Sequence, residues 1–597
     1  MGGLAAVLQR DGKGTAAVVT RMLEASPHRG EIDEVLVHGR CAIGIQNQGD
    51  FRDADIWKGE GLLCAFQGRL DNLDDLIWEI RRSGRPPDGT GPAAVIGAAF
   101  RLFGDDAPKR FRGMFTALVT DGEKVRIFRD HLAFGQIFVR QEPRALYAAS
   151  EPKQVVAGAG IPSEPDVDVV EGYFYADVED ETPCALKGVR RIPKATLVVS
   201  DGERARFRRY WDPESLLETA RLSSEEIQER FDELMSQSTA RMLTGSDVVS
   251  LSGGVDSPGV AAYAAPRHQE MTGRPIAALS MIFPDVPSSD ESMYIKLTAE
   301  ALGMPLHTYT PEAGPLTRIA EWVRLCDGPS PVNSPGEAEE YYRHARRLGA
   351  RNILDGNFVE FLLARTEGIT AHLLLRRQFR ALALQIHHRR AAGTPWKPLL
   401  KGLISPFLPG RVLRARERSG RNLGDVELAD WIDHSLFLEV NARRWFVHPR
   451  ERWRREQTSF FVGPGIGVEA DAIVQSATGV RVRRPWVDVD LVEFLLTLPA
   501  EVKFPDRNAK TFERSLLRGK VPNPILDRLD KTYFNEHLLG SIDYPVLRKL
   551  LIHPAHRIRG VDYERLAEHL YREDLTIRDY KLAIDLAKSH AFLALWE

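Results

Sequence analysis

Two patterns of hydrophobic and polar positions divide the chain. Up to about residue 210, short apolar or alternating runs recur at 4–8, 41–45, 62–66, 114–119, 125–128, 136–139, 145–148 and 196–199. Turn pairs such as Asp121-Gly122 and Asp201-Gly202 separate some of them. Runs of this length, bounded by Gly, Asp and Pro, predict strands. Helical spacing of apolar positions over Leu73–Arg82 and Pro92–Phe103 predicts two helices among them. Strands in bulk with a few helices make an α+β layered domain. Tyr210-Trp211-Asp212-Pro213 closes this half, and the acidic, helix-prone stretch 223–242 opens the next.

From about residue 215 the rhythm changes. Short apolar strands at 248–251, 276–282 and 352–354 alternate with long amphipathic patterns, which predicts an α/β domain with a parallel sheet and helices on both faces. Ligands of such sheets bind at the carboxyl ends of the strands. The predicted division is 1–212 and 213–597, with a basic helical insert at about 365–460.

The first of these strands runs into Leu251-Ser252-Gly253-Gly254-Val255-Asp256-Ser257. The two glycines let backbone approach a ligand closely, because they carry no Cβ. Ser257 and Pro258 suit the cap and first turn of a helix. Strand, glycine turn and helix N-terminus together offer N–H groups and a positive dipole end to an anion. Asp256 adds a carboxylate where the Mg²⁺ of a nucleotide would sit. No Gly-Lys-Ser/Thr follows the glycines, so this is not a Walker A loop. It resembles the pyrophosphate loop of enzymes that split ATP into AMP and pyrophosphate.

Composition narrows the setting. The formal charge is −3 and both signs are mixed along 597 residues, which predicts neither nucleic acid nor membrane as a partner. The four cysteines have no paired spacing, which fits a reducing cytoplasm and argues against a disulfide framework or a zinc site. No apolar run reaches membrane-spanning length, and Met1-Gly2-Gly3-Leu4 lacks the layout of a secretion signal. A cytoplasmic protein is expected. The segment 376–421 is strongly basic, and reads either as a solvated helix face or as a surface that receives an acidic peptide or partner.

Taken along nearly its whole length, the sequence resembles the asparagine synthetase family. His28-Arg29-Gly30, Arg40 to Ile43, Gly113-Met114-Phe115, Asp121-Gly122, Arg129-Asp130 with Gly135, and Ala149 to Lys153 are similar to its amidotransferase half, in order. Ser252 to Ser257, Asp290-Glu291, Asp355-Gly356 with Glu360, Arg483 to Asp488, and Lys531 with Phe534 are similar to its synthetase half. The resemblance implies an Ntn-hydrolase-like αββα sandwich followed by an ATP-pyrophosphatase domain. It also implies ATP and Mg²⁺ as cofactors. Leu251, Ser252, Gly253, Gly254, Asp256, Ser257, Ser280, Met281, Asp355 and Gly356 would hold the nucleotide. Asp256 and Glu360 would hold Mg²⁺, with Glu360 standing where the family usually has Asp. Lys531, Glu360 and Lys510 would carry the chemistry, Lys531 by neutralising charge at the α-phosphate and acyl centre.

Departures from the family matter as much. Glutamine-using members carry a nucleophilic cysteine where this chain has Gly2. The family's Asn-Gly-Glu segment resembles Gln67-Gly68-Arg69, so a carboxylate has become a cation. No counterpart of the glutamine-binding Asp stands around Gly89-Thr90-Gly91, and Asn357 replaces an amine-guiding Glu. Gly2→Ala is accordingly expected to change little.

What remains implied is carboxylate adenylation followed by amine attack, without a built-in ammonia supply. The closest resemblance is to lasso peptide cyclases, which close a macrolactam between a peptide's N-terminal amine and an Asp or Glu side chain. A precursor peptide would then be substrate, with a leader-peptide-binding protein and a protease as partners. A β-lactam-forming synthetase, an ammonia-dependent asparagine synthetase, and a non-catalytic ATP-binding scaffold are the alternatives.

Overall fold

Two six-stranded antiparallel sheets and one five-stranded parallel sheet carry the fold. The computed structural model describes residues 2–49, 51–84, 86–175, 183–329, 334–364, 366, 368–391, 393–418, 429–444, 446–463, 466–506, 510–528 and 532–597.

The antiparallel sheets lie face to face. Leu4, Ala6 and Leu8 of the strand Gly3–Gln9 meet Leu63, Ala65, Leu118 and Ile127 of the second sheet. On the outer face of the first sheet, Ala5 and Val7 pack on Val19, Met22 and Leu23 of the helix Thr15–Glu24. On the outer face of the second, Cys64 and Phe66 pack on Leu76, Ile80, Ala93 and Val95 of the helices Leu73–Arg82 and Pro92–Phe103. The result is an αββα sandwich. With both faces of each sheet covered, the interior strands are apolar at successive positions, not at alternate ones. One predicted strand is displaced: 136–139 becomes Phe138–Glu142. Gln136 lies outside the ladder, and its side-chain amide donates to the Glu469 carbonyl at 2.6 Å, across the junction of the two halves.

The parallel sheet has the order Leu306–Tyr309, Ala277–Met281, Asp247–Ser250, Asn352–Leu354, Arg481–Arg483. The chain builds outward on one side of Asp247–Ser250, then returns to its other side. The carboxyl end of Asp247–Ser250 is therefore the switch point of the sheet, where diverging connections leave a crevice. The loop Leu251–Val255 starts from that point.

Buried charges join the halves. Glu469 receives Arg129 at 3.3 Å and Arg191 at 3.1 Å, and all three side chains are nearly inaccessible. Arg112 reaches Asp490 at 2.7 Å, Trp211 donates to Glu493 at 2.8 Å, and Arg481 meets Asp53 at 2.8 Å. Within the basic insert, Ile369, Leu373 and Leu382 pack on Trp453, Ala500 and Phe504.

Candidate active site

The helix after the loop begins at Asp256, one residue earlier than its cap was expected. Ser257 does not cap it. Its hydroxyl accepts the N–H of Ser252 at 2.8 Å and shares a hydrogen bond with the Ser252 hydroxyl at 2.9 Å, closing the loop on itself. Two glycines are required by close backbone approach. A Cβ on Gly356 would lie 2.5 Å from the Ser257 nitrogen, and one on Gly253 would lie 2.7 Å from Cβ of Glu291.

The N–H of Gly253 donates to a carboxylate oxygen of Glu291 at 3.0 Å. Arg528 binds the other oxygen of Glu291 at 2.9 Å and the carbonyl of Gly253 at 3.0 Å. The anion-seeking turn is thus engaged by an acid from within the protein, and a guanidinium stands beside it. Sequence reasoning gave Glu291 no role and passed over Arg528, three residues before Lys531. Lys531 itself lies outside the described residues.

Behind the loop, the Lys510 ammonium is bonded to Asp256. Burial lowers the Lys510 pKa, but Glu513, Asp256 and Glu360 outweigh it and the net shift is upward. Burial raises Glu360, with Asp256 adding to the shift. Three of the predicted residues are therefore one electrostatic cluster. Glu513 completes it: fully buried, it is pushed well up by burial and then by Asp256. Carboxylates drawn together around Asp256 fit a place where a cation binds. No group of three or more metal-ligating side chains stands ready among the described residues. Asp256 and Glu360 fit Mg²⁺, which takes one or two carboxylates and fills its octahedron with phosphate oxygens and water.

In front of the loop is a cavity of about 840 Å³. Leu251, Ser252, Met281, Asp355 and Glu360 of the predicted site line it. Ser280 does not: it is 1% exposed and its hydroxyl donates to the Leu251 carbonyl at 2.8 Å, a structural duty. Asp355 is held by Arg484 at 3.3 Å and by both amide groups of Asn357 at 3.1 and 3.0 Å. One wall is aromatic. Phe460 stacks on Phe361 at 4.6 Å and on Phe358 at 4.7 Å. Phe358 takes a left-handed backbone, φ +77°, strained for a bulky side chain, and brings its ring within 5.0 Å of the Arg484 guanidinium. Lys194, from the N-terminal half, reaches the same wall with its ammonium 4.5 Å over Phe460. Neither Phe460 nor Lys194 had any signal in the sequence. Across the cavity, Phe283 packs on Phe534 at 5.6 Å and His537 at 4.2 Å, which fastens the segment following Lys531.

The asparagine synthase family model matches residues 230–596, more than half of the chain. This chain belongs to the asparagine synthase family. It is an ATP-dependent carbon–nitrogen ligase. A curated relative, asparagine synthetase [glutamine-hydrolyzing] 3 of Bacillus subtilis (strain 168), is 25% identical over 538 residues, covering 85% of this chain and 81% of the relative. The glutamine amidotransferase domain model matches residues 1–211. Two solved structures align loosely. A glutamine phosphoribosylpyrophosphate amidotransferase from B. subtilis, complexed with ADP and GMP, gives a TM-score of 0.27 at 11% identity, over 59% of this chain and 80% of that one. An allosteric regulatory enzyme of purine biosynthesis gives 0.28 at 11%, over 53% and 81%. Superpositions that loose carry no argument.

In the amidotransferase-like half of this asparagine synthase family member, position 2 carries no nucleophile. The Gly2 nitrogen donates to Asp53 at 2.6 Å, and its carbonyl accepts from Arg29 at 2.8 Å. A Cβ there would lie 2.5 Å from the Gln46 carbonyl and 2.8 Å from Oδ1 of Asn47. Backbone closes over the place a side chain would need, so Gly2→Ala must shift the Gln46 carbonyl. Between this half and the ligase cavity, Gln67, Phe134, Arg481, Arg483 and Arg484 enclose a void of only about 20 Å³, room for about one water. Burial, then the charge of Arg69, lowers Arg483 to about 9.

Proposed function

We propose that this ligase is a lasso peptide cyclase, which adenylates an Asp or Glu side chain of a precursor peptide and closes a macrolactam with the peptide's own N-terminal amine. The observation that carries the reading is an ordered phosphate loop beside a half whose position 2 has neither a nucleophile nor space for one. The amine then arrives with the substrate. A cavity of about 840 Å³ is near the top of the range of roughly 300–1,000 Å³ for small-molecule sites, and its aromatic wall suits a peptide alongside the nucleotide.

In the first step a carboxylate oxygen attacks the α-phosphorus of ATP and pyrophosphate leaves. In the second the amine displaces AMP from the acyl carbon, and the nitrogen loses a proton. Asp256 and Glu360 would hold Mg²⁺, which supplies charge neutralisation on the phosphates. The Gly253 N–H and Arg528 would receive pyrophosphate oxygens once Glu291 is displaced. Lys510 orients Asp256, and Lys531 would neutralise charge at the α-phosphate. A leader-binding protein and a protease of the same pathway are the partners this reading calls for. The name of the B. subtilis relative favours asparagine formation as the second reading.

ATP–pyrophosphate exchange separates the readings. Exchange that depends on a peptide with a free N-terminus and an internal Asp or Glu, with a product lighter by one water, is the expected result. Exchange with free aspartate alone, with asparagine formed on adding ammonium, would overturn it.

A further inference from the structure

Between Gly368 and Arg416 the chain has ten arginines and lysines and not one aspartate or glutamate, in a protein whose formal charge is −3. This segment is folded. Its inner side packs through Ile369, Leu373 and Leu382 against Trp453 and Phe504. Its outer side is bare. Phe379, Trp396, Ile404 and Phe407 are 61, 54, 56 and 60% exposed, and Leu384 and Leu400 nearly half.

The helix Trp396–Ile404 organises this surface, and Leu399 is its one buried residue. Trp396, Leu400 and Ile404 recur every four positions and form one apolar ridge. Lys397 and Lys401 recur at the same spacing and form a cationic ridge beside it. Both ridges are exposed. Single exposed apolar residues need no explanation, but a run of large ones beside this much charge marks a contact surface.

The two ridges constrain what covers them. Local charge of one sign calls for an anionic counterpart. Half-exposed aromatic and aliphatic side chains call for hydrocarbon as well, which phosphate alone does not supply. Large apolar side chains and lysines exposed together on one short helix match a surface that offers hydrocarbon and negative charge side by side. Trp, Leu and Ile beside Lys is the composition of helices that lie in the plane of a bilayer interface, with lysines drawn to acidic headgroups. No helix among the described residues is long and apolar enough to cross a membrane, so the contact would be in-plane.

We propose that the helix Trp396–Ile404, with Phe379 and Phe407, docks this protein on an anionic phospholipid surface. Near-neutral composition over the whole chain conceals this, which is why no membrane partner was expected from it. The inference does not depend on which peptide or amino acid the ligase uses. The helix Ile369–Leu375 of this segment packs on the helix Pro449–Val462, which supplies Phe460 to the cavity wall. Docking would hold the ligase cavity beside the bilayer.

The test is co-sedimentation of the full chain with vesicles of phosphatidylcholine alone and of equimolar phosphatidylcholine and phosphatidylglycerol. The protein should pellet only with the anionic vesicles. Lys397→Glu with Lys401→Glu should lower partitioning by about thirtyfold or more. Trp396→Ser with Ile404→Ser should leave binding that moderate salt abolishes, because only the Coulombic part remains. Both variants should keep the wild-type circular dichroism and thermal midpoint, since they alter exposed positions. Failure to pellet with anionic vesicles, or pelleting that neither variant weakens, would overturn the proposal. So would soluble polyglutamate that displaces the protein from vesicles and binds the Trp396→Ser, Ile404→Ser variant as tightly as wild type; that result assigns the surface to an acidic protein.

Discussion

The Glu291 carboxylate accepts the N–H of Gly253 at 3.0 Å, so an acid of the protein stands where a phosphate oxygen of ATP is expected. Arg528 binds both residues and holds the arrangement. On the proposed reading, a nucleotide phosphate would take the place of Glu291 on that N–H and bring Arg528 toward the phosphates. Arg528→Met keeps the bulk and removes the donors. It should slow ATP–pyrophosphate exchange by roughly 10–100-fold, the loss of a charge-assisted hydrogen bond, with little change in thermal midpoint. An exchange rate within twofold of wild type would remove Arg528 from the site.

Asp256 and Lys531 should fail differently. Asp256→Ala removes the carboxylate proposed to hold Mg²⁺ and leaves Lys510 without its partner, so AMP formation should be lost. Lys531→Ala should retain ATP binding but slow turnover by about two to three orders of magnitude, as for loss of one transition-state donor. Calorimetric ATP titration beside single-turnover AMP release distinguishes the two.

Gly2→Cys tests the first half. It should release no ammonia from glutamine, because its Cβ would press on the Gln46 carbonyl, and it should lower the thermal midpoint. Measurable glutaminase activity would show that the backbone around Gln46 and Asp53 can open.

Breaking the ionic junction should be costly. Glu469→Ala leaves Arg129 and Arg191 buried without their carboxylate, a loss of about 3–5 kcal/mol. Chemical denaturation of this variant should show the two halves coming apart at lower denaturant than in wild type.

One acid gives a pH dependence. Burial pushes Asp327 up to about 7 against the opposing charge of Lys153. The native state therefore holds a proton between its ordinary value near 3.8 and about 7 that the unfolded chain has lost. Stability attributable to this group is full below that window, falls as pH rises through it, and is flat above. Asp327→Asn should flatten that slope, as read from denaturation midpoints between pH 5 and pH 8, the range where about three-fifths of the loss accrues. An unchanged slope would mean that Asp327 ionises at its ordinary pH.

How much of this was legible in the sequence follows from where each residue sits. Most interior strands announced themselves, because a strand covered on both faces is largely apolar, as in Val248 to Leu251 or Ala145 to Ala149; Phe138–Glu142, which ends in Arg, Gln and Glu, was placed two residues early. The edges did not. Glu31–His38, Ala205–Arg209 and Arg481–Arg483 each have one side without a neighbouring strand, and they carry Glu, Asp, Arg and His through the run. Such charges keep edges from pairing with other chains and erase the hydrophobic signal at the same time. At the site, Asp256, Glu360 and Lys510 could be named because the family's motifs mark them, and the fold brings the three together. Phe460, Lys194 and Glu513 were not, because only the fold brings them there.

Lys194 belongs to the half without a nucleophile at position 2, yet its side chain helps to enclose the ligase cavity. Cutting the chain near residue 212 would therefore do more than discard a half without that nucleophile. It would strip the ammonium from beside Phe460 and leave that stretch of the cavity wall open to water, so the severed ligase half should make less amide for each ATP it consumes.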